Sequence, residues 1–336
     1  MPESKFKLAG LLILAAIFLA GCTPDDQIAY FLNNAPTSIG EYTPEGASCT
    51  ELEETAQETL ADSLPPPATA KFSADDRRAL ASTAFGYLCD LARDVGWRQS
   101  ATQEEWNAAE ILIDRFTAFG YSPVTQDFQV QIGVIQRESS NIIVELPGRG
   151  KDVVILSAHY DTVRGSVGAN DNASGVSVLL ALAERLAQPP WSNGMVTDFP
   201  FTLRLIAFGS EETGLNGSRH YLRQLTAEER DAIRIAINLD VVGSGSFLYF
   251  RGPSQATDHL SRAAEREGVS HVVTTGDYDI GGVSDEMSFE RRKVSAVRIF
   301  GNDTVRANTR YDTIEFINPA LLGDTTVLIL ALLENL

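Results

Sequence analysis

The chain has 336 residues, 44% of them hydrophobic, enough to bury the core of one large α/β domain or two small ones. Forty-five acidic residues against 27 basic ones leave a formal net charge of −18. That balance argues against a nucleic-acid binder, which needs a basic face. It suits solubility, or attraction for cationic groups and metal ions.

In chain order, Lys5 and Lys7 precede an apolar run over residues 8–20, too short for a comfortable membrane span. The run ends Leu19-Ala-Gly-Cys22, which resembles the lipobox of bacterial lipoproteins. The resemblance implies a signal peptide over residues 1–21, cleaved to leave Cys22 as a lipidated N-terminus. An ordinary secretory signal or a short anchor is the alternative. Thr23, not aspartate, follows the cysteine, which leans by the family's sorting rule towards the outer membrane. The expected location is therefore extracytoplasmic, on the periplasmic face of that membrane, with the lipid anchor as the only membrane contact. Residues 22–48 are polar, with scattered proline and glycine, and read as a tether. Cys49 and Cys89 form a disulfide candidate in an oxidising compartment, with two free thiols as the alternative.

An N-terminal helical segment is expected over residues 49–99. Its first helix, residues 50–64, is acidic and stopped by Pro65-Pro-Pro67; its second starts at Ser73-Ala-Asp-Asp, a good N-cap, and runs to about residue 95. A helix over 102–119 carries Trp106, Ile111, Ile113, Phe116 and Phe119 near helical spacing, with Gly120 as its stop. Strands are expected at 124–132, 142–146, 153–156, 201–208, 233–239, 247–250 and 294–300, and helices at 175–186, 217–225, 254–267 and 319–333. The alternation from about residue 140 predicts a mainly parallel, twisted sheet covered on both faces.

His159 and Asp161 follow one buried strand, Glu211 and Glu212 the next, and Asp240 a third; Asp171 sits in a Gly/Asn-rich turn after the first. Each alone reads as a cap or a solvated helix start. Together they converge on one sheet edge, where open α/β sheets place ligands. A buried carboxylate cluster repels itself unless cations neutralise it. The coherent solution is a divalent metal with nitrogen and oxygen ligands, zinc first among them. A carboxylate two residues from a histidine can fix its tautomer and free the other nitrogen for the metal. No Gly-x-Ser-x-Gly elbow is present, and Gly148-Arg-Gly150-Lys151 lacks P-loop spacing.

His159-Tyr-Asp161-Thr, Gly168-Ala-Asn-Asp171-Asn-Ala-Ser-Gly175, Phe208-Gly-Ser-Glu211-Glu212, Asn238-Leu-Asp240 and Tyr311-Asp312-Thr-Ile resemble, in order, the motifs of metallopeptidase family 28. The likeness covers about residue 100 to the C-terminus, so residues 100–336 are expected to form a zinc peptidase domain. It implies a three-layer α/β/α sandwich with a mixed, mainly parallel, eight-stranded sheet. It implies that Asp171 bridges two zinc ions, that His159 and Asp240 complete one site, and that Glu212 binds the other. It makes Glu211 the general base and Asp161 the partner of His159. The substrate is expected to be a peptide cleaved at its N-terminus, with no nucleic-acid partner; residue preference and oligomeric state have no readable code.

The chain departs from the family's pattern twice. The last zinc ligand, a histidine, is Asn308, whose neutral amide oxygen is a weak substitute. The family's Ser-Asp-His reads Ser284-Asp285-Glu286. One zinc is therefore expected firmly, with the second site weakened. The alternatives are a member that has lost catalysis and serves as a binding or scaffold lipoprotein, and a single-zinc acyltransferase of the glutaminyl cyclase kind, which would need a histidine at position 308. His220, His259 and His271 are expected to be structural.

Overall fold

Eight strands pair into one mixed sheet in the order β1-β2-β6-β3-β7-β10-β8-β9 in this computed structural model. Residue 49 and residues 66–193, 196–274 and 282–336 are described. The expected signal peptide, Cys22, the expected tether and the helix expected at 50–64 lie outside the described residues.

The strands are β1 (Val124–Ile132), β2 (Ile135–Leu146), β3 (Asp152–His159), β6 (Phe201–Phe208), β7 (Ile233–Leu239), β8 (Leu248–Arg251), β9 (His271–Thr274) and β10 (Ala296–Gly301), with β4 (Ser192–Asn193) and β5 (Val196–Thr197) as a separate ribbon. β6, β3, β7 and β10 run parallel; β1, β2 and β8 pair antiparallel to their inner neighbours. The helices are α1 (Ala74–Cys89), α2 (Gln103–Ala118), α3 (Gly175–Leu186), α4 (Asn216–Gln224), α5 (Ala227–Asp231), α6 (Ser254–Glu267), α7 (Glu286–Arg291) and α8 (Pro319–Leu333).

Alternation along the central strand assigns the layers. Val154, Leu156 and Ala158 join the large core with α1, α2, α3, α6 and α8. Ile155 points the other way, into a smaller core with Tyr221 and Leu222 of α4 and Phe289 of α7. The result is the three-layer α/β/α sandwich expected. Helix α8 is buried almost all round; Thr325 and Thr326 satisfy their hydroxyls on the carbonyls of Leu321 and Leu322, at 2.7 and 2.8 Å. Among the described residues, no helix is long and apolar enough to cross a membrane.

The structure corrects several boundaries. Strand β2 begins seven residues before the expected 142, because the polar stretch Ile135-Gln-Arg-Glu-Ser-Ser-Asn141 is held by backbone pairing to β1 and shows no apolar signal. Helix α1 has the Ser73 cap closed by Asp76 as a capping box, but beyond Cys89 it widens into a π turn, Asp90–Val95. In α2 the buried face is Glu105, Ala108, Ala109, Leu112 and Phe116; Trp106, Ile111, Ile113 and Phe119 are only half-buried. Helices α5 and α7 and strand β9 were not expected.

Cys49 is bonded to Cys89, with Cα atoms 6.2 Å apart and a separation of 40 positions in sequence. Closing a loop of that length contributes roughly 4 kcal/mol in the chain-entropy model. Cys89→Ser is expected to lower the unfolding free energy by about that amount in urea titrations. Labelling of both thiols in the unreduced mature protein would contradict the bond.

Candidate metal centre

The centre lies at the C-terminal ends of the adjacent parallel strands β6, β3 and β7. His159 is the last residue of β3, Asp240 follows β7 directly, and Glu211 and Glu212 follow β6 by three and four residues. His159 is 1% exposed. Its Nε2 lies 3.2 Å from Asp171 Oδ1 and 3.5 Å from Asp240 Oδ1. Ligand atoms of His159, Asp171 and Glu212 all fall within 4.8 Å of one another.

Asp161 does more than face the histidine. Its Oδ1 lies 3.4 Å from His159 Nδ1, a spacing that falls short of hydrogen-bond geometry. Both its oxygens are engaged elsewhere: Oδ1 accepts the amide of Glu211 at 2.9 Å, and Oδ2 accepts the amide of Glu212 at 3.2 Å and the Ser100 hydroxyl at 2.5 Å. Asp161 therefore fixes the loop that presents both glutamates.

The Asp171 loop is held from several sides. Asp312 accepts the amides of Asn170 and Asp171 at 2.7 and 2.8 Å. Asn172 accepts the amides of Gly175 and Val241, at 2.9 and 3.2 Å, and donates to Leu239 O at 2.9 Å, tying the loop to the end of β7. Gly168 opens the loop at φ +56°, where a Cβ would meet Asp171 O at 2.3 Å, so only glycine fits. Beneath it, fully buried Arg98 donates to the carbonyls of Tyr160, Val167, Gly168 and Gly96 at 2.7–3.0 Å.

Charge dominates the site. Burial raises the pKa of Asp171, Glu211 and Glu212, with the neighbouring carboxylates adding to it. Burial would lower that of His159, but Glu211, Asp161, Asp171 and Asp240 hold it well above the usual value. Asp240 goes the other way: against its burial, Arg298, 2.9 Å from Oδ2, and His159 hold it low. Asp285, fully buried with neither oxygen hydrogen-bonded, is pushed up to about 7 by desolvation. Glu286, standing where the family has histidine, is buried in an ion pair with Arg251.

The residues fit a divalent cation. Asp240 Oδ1 is buried without a hydrogen-bond partner and faces His159 Nε2. Imidazole nitrogen and carboxylate oxygens converging in a dry acidic cluster are the donors zinc takes. Asn308 is exposed, at φ +61°, with its side-chain amide against the Glu212 carboxylate. Turned with Nδ2 towards Glu212, the amide would donate to Oε1 and Oε2 at 2.8 and 3.2 Å; turned with Oδ1 there, it would face a metal as the weak oxygen ligand expected. His220 stacks on Phe128 and His271 on Phe250, away from the centre.

Sequence patterning missed Arg98, Ser100, Glu105 and Arg298. Only Glu105 carried a signal, a carboxylate in register with the alanines and Leu112 of α2.

The profile of Peptidase family M28 matches residues 141–333. The chain is 37% identical over 176 residues to aminopeptidase YwaD of Bacillus subtilis, across 49% of this chain and 36% of that protein. It is 31% identical over 142 residues to the probable lipoprotein aminopeptidase LpqL of Mycobacterium tuberculosis, across 41% of this chain and 27% of that one. The chain thus spans about a third or less of these relatives' length. Among solved structures, the zinc aminopeptidase BSAP of Bacillus subtilis superposes with a TM-score of 0.66 at 20% identity, over 76% of this chain and 94% of that one. A glutaminyl cyclase of Bacteroides thetaiotaomicron superposes with a TM-score of 0.65 at 21% identity, over 76% and 98%. These two likenesses show a shared fold.

Proposed function

The chain belongs to peptidase family M28, whose profile spans more than half of its residues, and on that premise we propose that it is a zinc-dependent aminopeptidase holding one firmly bound metal ion. The observation that carries this reading is the buried, unpartnered Asp240 Oδ1 facing His159 Nε2, with Asp171 Oδ1 beside it. The aminopeptidase names of the sequence relatives favour this activity over the cyclase one. Asn308 also disfavours the cyclase.

His159, Asp171 and Asp240 would hold the zinc, the three-ligand complement that leaves a position open. When bound, the ion supplies a Lewis acid that polarises the scissile carbonyl and eases loss of a proton from water. Glu211 takes the proton from the attacking water and passes it to the leaving amine. Asp161 holds its backbone in place. Glu212 would stand beside the ion, with Asn308 against its carboxylate. Arg298 holds Asp240 Oδ2 and leaves Oδ1 for the metal.

The test is a panel of aminoacyl p-nitroanilides and free peptides. Hydrolysis is expected from the N-terminus, lost on chelation and restored by zinc. No hydrolysis of any member with zinc bound would overturn the reading and favour a binding lipoprotein.

The leader supports a lipid-anchored, extracytoplasmic protein, and one relative bears a lipoprotein name. Cys22→Ser should leave an uncleaved or soluble form. Membrane fractionation of that variant at the normal mature mass would refute the anchor.

A further inference from the structure

Helix α2 lies upstream of the family match, which begins at residue 141, yet one of its side chains holds Ser210, the residue before Glu211. Glu105 is 1% exposed, on the face that α2 buries with Ala108, Ala109 and Leu112. A carboxylate there is costly unless its oxygens are used. Oε2 accepts the amide of Ala101 at 2.7 Å. Oε1 accepts the Ser210 amide at 2.8 Å, the Ser210 hydroxyl at 3.1 Å and the Ser139 hydroxyl at 3.0 Å.

Ala101 and Ser210 both hold left-handed backbone, at φ +56° and +52°. Such residues persist only where their surroundings fix them. One carboxylate thus binds the amides of two strained residues. Ser210 immediately precedes Glu211. Ser100, immediately before Ala101, donates to Asp161, which takes the amides of Glu211 and Glu212. Two carboxylates therefore grip the backbone of residues 210–212, and both are tied to the loop that opens α2.

We propose that Glu105 is a positioning residue for Glu211: by holding Ser210 left-handed it sets where the Glu211 carboxylate stands over the metal centre. This rests on Glu211 being the proposed base. A torsion change at Ser210 would swing Glu211 by an ångström or more, and displacement of about 1 Å costs about 10²-fold in rate.

Glu105→Gln tests it. The amide is nearly isosteric, but its NH₂ cannot accept, so one strained amide loses its acceptor. We expect kcat to fall about 10²-fold, KM to stay within about threefold, and zinc content to be unchanged. Hydrogen exchange of the segment over residues 209–214 should quicken while that of β7 does not. Adding Ser210→Gly, which accepts the left-handed backbone freely, should recover about tenfold of the lost rate. Should Glu105→Gln fail to fold, Glu105→Asp, which keeps the charge and withdraws the oxygens by one methylene, should show the same exchange signature with a smaller fall in kcat. A lowered melting temperature with kcat per zinc-loaded chain and segment exchange unchanged would reduce Glu105 to packing and overturn the proposal. If the unsubstituted protein hydrolyses nothing, the peptidase reading fails, and the exchange measurement still decides the clamp.

Discussion

Glu211→Gln is expected to lower turnover by ~10²- to 10⁴-fold while zinc stays bound, the range that loss of a positioned general base gives. The two neighbouring glutamates differ in their surroundings. Glu212 offers an oxygen within the cluster of His159 and Asp171. Glu211 is buried at 8% exposure at the head of the same loop, with its amide held by Asp161. A buried carboxylate fixed at its backbone but outside that cluster suits a group that takes and returns a proton. The neutral amide keeps the shape and removes the acceptor. Turnover with single aminoacyl reporters and metal content by mass spectrometry check it together. Equal metal loss in Glu211→Gln and Glu212→Gln would show the two roles to be misassigned.

Asn308→His is expected to convert the centre from one firmly bound ion to about two, with a higher rate, because it adds the nitrogen ligand that complements the carboxylates of Asp171 and Glu212. In the unsubstituted protein an amide stands there against Glu212, while His220 and His271 stack on Phe128 and Phe250. Any second ion there should be loosely held, whether zinc or a harder cation such as Mn²⁺ that accepts oxygen ligands. Activity of the unsubstituted enzyme should accordingly rise with added metal. Unchanged stoichiometry and rate in Asn308→His would show that the loop around residue 308 cannot bring an imidazole to Glu212.

Much of the fold was legible because burial imposes a period. Strands β3, β6 and β7 are dominated by buried apolar residues, as strands covered on both faces are. Helices α3 and α8 begin and end where their apolar pattern does. The site's own residues were legible for a related reason: acidic side chains after successive strands have no packing explanation. What failed to show has a physical cause too. The first half of β2 is polar because backbone pairing to β1 and side-chain hydrogen bonds hold it, not apolar burial. In α2, bulky Trp106 and Ile113 suggested a face, while the packed one is built from alanines that admit close approach and from Glu105. Arg98 binds carbonyls, and nothing in the flanking residues marks a cation destined for burial. Asn308 meets Glu212, 96 residues away in the chain, so the substitution is readable in the sequence but its neighbour is not.

The central claim is that one divalent cation is held by His159, Asp171 and Asp240 while the Asn308–Glu212 pair leaves the second position without a nitrogen ligand. Metal content per purified chain, by mass spectrometry after exhaustive dialysis, tests it most directly. The account predicts about one zinc per chain, in keeping with a three-ligand catalytic site. Two tightly held zinc ions in the unsubstituted protein would contradict it.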